Sequence, residues 1–107
     1  MKRGIFIQVN GNITLVEAKN KRSFKYEELQ TFVGNMVEIT PMPGGRNLIC
    51  HEEGKLIGLA KNEKATEIWK REYPITKYPH NNDELVVGDV LITGRSLEGL
   101  MKDYLLK

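Results

Sequence analysis

Cysteine occurs once, at Cys50. A lone thiol can close no internal disulfide and cannot build a cysteine zinc site. In a chain this small, the lack of an oxidised framework makes the cytosol the expected compartment. Histidine is nearly as scarce: His51 and His80 stand apart, with no H-x-x-x-H spacing, so no metal site is expected. No apolar run approaches the roughly 18 residues that a membrane span needs. At the N-terminus the run Ile5–Val9 is broken by Gln8 and stopped by Asn10, too short for the apolar part of a signal peptide. The sequon Asn12-Ile13-Thr14 is then expected to be idle.

Charge of one sign is missing too. Sixteen basic and 14 acidic residues leave a net +2, too little for the concentrated basic stripe of a nucleic-acid binder. It is also the wrong balance for an acidic mimic of DNA. A locally basic pocket remains open.

What is present is an ordinary globular composition, 40% hydrophobic and 28% charged over 107 residues, enough for one domain with one core. Ile5, Ile7 and Val9 alternate with Phe6 and Gln8, the period of a strand. Asn10-Gly11 then supplies the dipeptide of a tight hairpin, and Ile13–Glu17 alternates again. After the polar loop Lys19-Asn20-Lys21-Arg22, Ser23 can cap a helix over residues 24–33. Glu27 and Glu28 lie in its first turn, and Tyr26, Leu29, Phe32 and Val33 form one stripe. Gly34 stops it.

Met36–Thr40 reads as a strand, closed by Pro41-Met42-Pro43-Gly44-Gly45; Leu48-Ile49-Cys50 is another, and Lys55–Leu59 a third in the meander. Asn62 can cap a second helix with Ala65, Ile68, Trp69 and Tyr73 on its apolar face, ended by Pro74. Tyr78-Pro79-His80-Asn81-Asn82-Asp83 is turn-rich. Val90–Thr93 is a strand, and Ser96 can cap a last helix striped with Leu97, Leu100, Met101, Tyr104 and Leu105. The order β-β-α-β-β-β-α-β-α predicts a single α+β domain. Its mainly antiparallel sheet has five or six strands, covered by three helices.

The stretches LQTFVGNMVEITPM, NLICHEEGKLIGLAKNEKAT and VVGDVLITG resemble a family of small phage- and plasmid-encoded proteins known only as a domain of unknown function. Its members typically read L-x-x-x-V-G-G-x-I-E, then N-E-E-G-K-L-x-G-L-P-x-N-R-x-A-T, then G-D-V. The match falls on Leu29, Val33, Gly34 and Glu38, on Glu52 to Leu56, Gly58, Leu59, Asn62, Ala65 and Thr66, and on Gly88, Asp89 and Val90. His51, Ala60 and, at the position of the family's Arg, Glu63 or Lys64 depart from the pattern. The resemblance implies a mobile-element origin, host cytoplasm and an accessory role such as antagonising host defence.

Little in the chain points to catalysis. Glu52 and Glu53 beside His51 offer an acid–base pair, but neighbours on a strand face opposite ways, and an exposed turn joining two strands explains the block better. Ser23 and Ser96 read as helix caps, and Cys50 as a small core residue. No catalytic residue and no cofactor are expected. Anion binding has more support. Pro43-Gly44-Gly45-Arg46 can gather backbone N–H groups with Arg46 as a charged fork, although a hairpin loop has the same composition. The helix start at Lys61, Asn62, Lys64 and Thr66 offers free N–H groups, two ammonium groups and a hydroxyl, although Asn62 can equally cap its own helix. Tyr78 and His80 can close over a ligand or meet a partner protein.

The leading expectation is a non-enzymatic protein that sequesters a small anionic, nucleotide-derived ligand through Arg46, Lys61, Asn62, Lys64, Thr66, Tyr78 and His80. The alternatives are an inhibitor of a host defence protein acting through a surface patch, and a structural or regulatory homo-oligomer.

Overall fold

The computed structural model describes residues 2–72, 85–95 and 97–104. Five strands and three helices lie among them: β1 (Arg3–Ile7), β2 (Ile13–Glu17), α1 (Tyr26–Val33), β3 (Val37–Met42), β4 (Arg46–His51), α2 (Glu63–Glu72), β5 (Val90–Gly94) and α3 (Leu97–Tyr104). The strands form one sheet in the order β2-β1-β5-β4-β3, every pair antiparallel. The last strand in the chain is thus the central one.

That position explains the run Val90-Leu91-Ile92. A strand between two others, covered on both faces, has no solvent side, and all three residues are fully buried. Register sorts the side chains by face. Ile5, Ile7, Leu48, Val90 and Ile92 pack with Ala65, Ile68 and Trp69 of α2 and with Leu97 and Leu100 of α3. On the opposite face Leu91 and Ile49 pack with Leu29 and Val33 of α1, with Phe6 and Phe32 alongside. The domain is a three-layer sandwich: one helix, the sheet, then two helices. No helix among the described residues is long and apolar enough to cross a membrane.

The hairpin forms where Asn10-Gly11 places it. Gly11 adopts φ +94°, its N–H donates to Gln8 O (2.9 Å), and Gln8 N–H donates to Asn12 O (2.9 Å). At the other end of the sheet, Gly44 and Gly45 both take positive φ in the β3–β4 turn. Gly94 (φ +114°) lets β5 pass against that turn, because a Cβ there would collide with the Gly45 carbonyl oxygen.

Three expectations need correction. Lys55–Leu59 is not a strand; residues 52–58 coil into successive turns, with Ile57 N–H donating to Glu53 O (3.0 Å) and Leu59 N–H to Gly54 O (2.9 Å). β4 already has β3 and β5 on its two sides, so no ladder is open to it, and Leu56 is left 86% exposed. The order is therefore one strand shorter than expected. Secondly, α1 begins at Tyr26, later than a Ser23 cap requires. Ser23 N–H donates to Asn20 Oδ1 (3.1 Å) in a local turn, while the Glu28 carboxylate reaches back to Lys25 N–H (3.3 Å) at the helix start. Thirdly, Tyr26 is 52% exposed, and Phe24 takes its place on the apolar side, edge-on to Phe32 at 6.1 Å. Tyr73, Pro74, Ser96 and Leu105 lie outside the described residues.

Candidate functional site

Asn62 caps α2, and its amide is engaged through both its oxygen and its nitrogen. Oδ1 accepts from Ala65 N–H (3.0 Å), while Nδ2 donates to Ile7 O (3.0 Å) and to Gly88 O (2.9 Å). The residue is fully buried and ties the helix start to β1 and to the approach to β5. Thr66, one turn on, is buried as well; its hydroxyl donates to Val86 O (3.3 Å) and accepts from Val86 N–H (3.0 Å). Every N–H and O–H of the two side chains is donated to the backbone. Lys61 and Lys64 point into solvent beside Glu63 (3.5 Å) and Glu67 (3.9 Å), pairs of the exposed kind that bind weakly.

Arg46 lies elsewhere. Its Nη2 sits 2.6 Å from Glu72 Oε1, with the two side chains only 12% and 14% exposed. Glu72 is the last residue of a ten-residue helix and Asn62 caps its first turn, so about 14 Å of helix separates the two clusters. The residues expected to hold an anion are therefore split between the two ends of α2. Tyr78 and His80 lie outside the described residues. The block at His51 is a turn, where His51 Nδ1 accepts from Glu53 N–H (3.0 Å) and Glu52 is exposed. Among the described residues, no group of three His, Cys, Asp or Glu side chains is placed to hold a metal ion.

A groove of about 550 Å³ lies among the described residues at the β3–β4 end of the two-helix face. Cross-strand pairing of Glu38 with Cys50 and of Thr40 with Leu48 sets all four on that face as a floor. Trp69 of α2 and Val86 form the inner wall, and Lys55 and Leu56, carried by the 52–58 turn, form the rim. β3 is an edge strand, and among the described residues no helix seals the polar side chains of Glu38 and Thr40 that it turns to this face.

Its chemistry is mixed. Apolar surface from Leu48, Trp69, Val86 and Leu56 lies beside the Glu38 carboxylate, the Thr40 hydroxyl is 3.4 Å from Glu38 Oε1, and His51, Glu52 and Lys55 also line the groove. Burial pushes the Cys50 thiol up to about 11; the neighbouring Glu38 carboxylate adds to the shift, and Lys55 opposes it. Cys50 is therefore a neutral thiol at physiological pH. A shift of this size leaves roughly a hundredfold less thiolate than in an ordinary cysteine, and the greater nucleophilicity of a more basic thiolate returns part of that loss. Alkylation by iodoacetamide near pH 8 is expected to run about tenfold or more slower in the folded protein than in the urea-unfolded chain. Equal rates would mean that the thiol is open to solvent.

Sequence reasoning passed over Glu38, Thr40, Leu48 and Lys55 as ligand contacts; Trp69, expected in the core, is there and also lines the groove. The available signal was the stretch Val37-Glu38-Ile39-Thr40, a strand with its polar residues in register on one face.

A family model described as a domain of unknown function (DUF3846) matches residues 1–104. No curated protein and no solved structure matches the chain.

Proposed function

The chain belongs to this domain family of unknown function, and on the geometry of its groove we propose that it is a non-enzymatic binding protein for a small, flat ligand with N–H donors, a nucleobase-containing molecule. The observation that carries this reading is the groove itself: some 550 Å³ in which Leu48, Trp69 and Val86 lie beside the Glu38 carboxylate, with His51, Glu52 and Lys55 also in the lining. Volumes of this order suit small organic ligands, and a few placed polar groups in an apolar cleft are the usual form of such sites. Glu38 would accept from ring or amino N–H groups, the faces of the ring would lie against Leu48 and Trp69, and Lys55 at the rim would meet a phosphate or other small anion outside.

This re-aims the expectation of an anionic nucleotide ligand. The ligand would enter base first, because Arg46 is engaged with Glu72 and Asn62 and Thr66 are engaged with the backbone. In a phage- or plasmid-borne accessory protein, tight retention of such a ligand would deprive a host defence system of its signal. The neutral thiol of Cys50 favours retention over turnover.

The chain's one tryptophan lines the groove, so its emission reports occupancy. Titration with a panel of nucleosides and nucleotides is expected to shift Trp69 emission saturably for one base class. Glu38→Gln removes a charged acceptor and is expected to weaken that binding about tenfold or more. Thr40→Phe fills the floor and is expected to abolish it. A panel with no saturable response would sink the nucleobase reading. A second reading, inhibition of a partner protein, rests on the exposed neighbours Leu56 and Ile57; Ile57 does not line the groove, so Ile57→Ser would weaken that contact and spare the emission response.

A further inference from the structure

The two edges of the sheet are built differently. In the β1–β2 ladder, Ala18 N–H donates to Lys2 O (2.7 Å) and Gln8 N–H to Asn12 O (2.9 Å). Those bonds fix the alternation of an antiparallel pair, in which every second residue turns both backbone groups toward its neighbour. Thr14 and Val16 therefore face β1, and Ile13, Leu15 and Glu17 direct N–H and C=O away from the sheet. The same logic applies to β3, where Glu52 N–H donates to Met36 O (2.8 Å). It turns Val37, Ile39 and Pro41 outward. Pro41 has no N–H, so one end of that outward row cannot donate, and a proline on an edge strand is a recognised guard against edge pairing.

β2 carries no such guard. Ile-Thr-Leu-Val-Glu contains no proline, lysine or glycine, and its register with β1 is continuous, without a bulge. Leu15, at its midpoint, is 40% exposed. Among the described residues, the outward groups of Ile13, Leu15 and Glu17 have no hydrogen-bond partner.

We propose that β2 pairs antiparallel with β2 of a second copy of this chain about a two-fold axis at Leu15, joining the two five-stranded sheets into one. That register is self-complementary. Leu15 lies opposite Leu15 of the other copy, Ile13 lies opposite Glu17, and all three outward residues of each copy find partners. Centring the pair on Glu17 instead would oppose two carboxylates, which disfavours that slip. Five residues per strand bury less than the roughly 1,000 Å² of a permanent interface, so the dimer is reversible and its population rises across the micromolar-to-millimolar range.

The outward geometry supplies a clean test by sedimentation velocity over a concentration series. Wild-type protein is expected to rise from its monomer mass of 12.2 kDa toward twice that value. Leu15→Pro removes an N–H that the β1 ladder does not use, and Leu15→Lys sets two ammonium groups opposite each other on the axis. Both variants are expected to keep the wild-type far-ultraviolet circular dichroism and to stay monomeric throughout; if the proline disturbs the hairpin, the lysine variant decides. Wild-type protein that remains monomeric over the whole series overturns the proposal. So does a folded lysine variant that associates as the wild type does.

Discussion

Replacing Asn62 by alanine is expected to lower folding stability by about 3 kcal/mol or more, a large share of the roughly 5–15 kcal/mol a domain of this size possesses. Three hydrogen bonds end at this one fully buried amide. Loss of the cap to Ala65 N–H costs about 1 kcal/mol. Loss of Nδ2 leaves the carbonyls of Ile7 and Gly88 without that donor in a site closed to water, at about 1 kcal/mol or more each. Asn62→Asp separates the two roles. It retains the cap but sets a carboxylate against two carbonyl oxygens where an amide had donated. It is expected to be at least as damaging as alanine, although aspartate is ordinarily as good a cap as asparagine. Urea unfolding of the two variants checks this. An aspartate variant close to wild type would mean that capping is the residue's whole contribution.

The ion pair between Arg46 and Glu72 carries the second large effect. With both side chains nearly buried and 2.6 Å apart, removal of one partner strands the other's charge. Arg46→Met is therefore expected to cost about 3 kcal/mol. Converting both residues to methionine is expected to recover most of that loss, because a well-packed apolar pair can replace a buried ion pair at little cost. The cycle of single and double variants, followed by chemical unfolding, measures the coupling; strict additivity would show that the contact is incidental. The pair also has a functional corollary. Arg46→Ala combined with Lys61→Ala, the substitution that sequence reasoning would choose to abolish an anion site, is expected to weaken the fold while leaving the groove contacts at Glu38 and Thr40 in place.

The parts of the fold that could be read from sequence were those set by local chemistry. Asn10-Gly11 fixed the hairpin, Asn62 fixed the start of α2, and the apolar spacings of Ala65, Ile68 and Trp69 and of Leu97 and Leu100 fixed two helix faces. Errors arose where an apolar pattern met no surface to cover it. Lys55–Leu59 has a strand's composition, but the neighbouring positions in the sheet were already taken, and Tyr26 has a stripe position on a helix that begins too late to bury it. The groove was the least legible feature, because it depends on strand order. Only when β5 enters between β1 and β4, leaving β3 as an edge, do Glu38, Thr40, Leu48 and Cys50 become a floor beneath Trp69. The hydrogen-bonding groups of Asn62 and Thr66 were visible in the sequence. Their buried backbone partners, Ile7, Gly88 and Val86, are distant in the chain and were not.

The most direct measurement is native mass spectrometry of wild-type protein and Thr40→Phe, each incubated in the same nucleotide-rich lysate and repurified. A ligand held in the groove predicts a discrete added mass on the wild type that is lost on denaturation and missing from the variant. An equal added mass on both proteins, or none on either, would contradict the groove as the binding site.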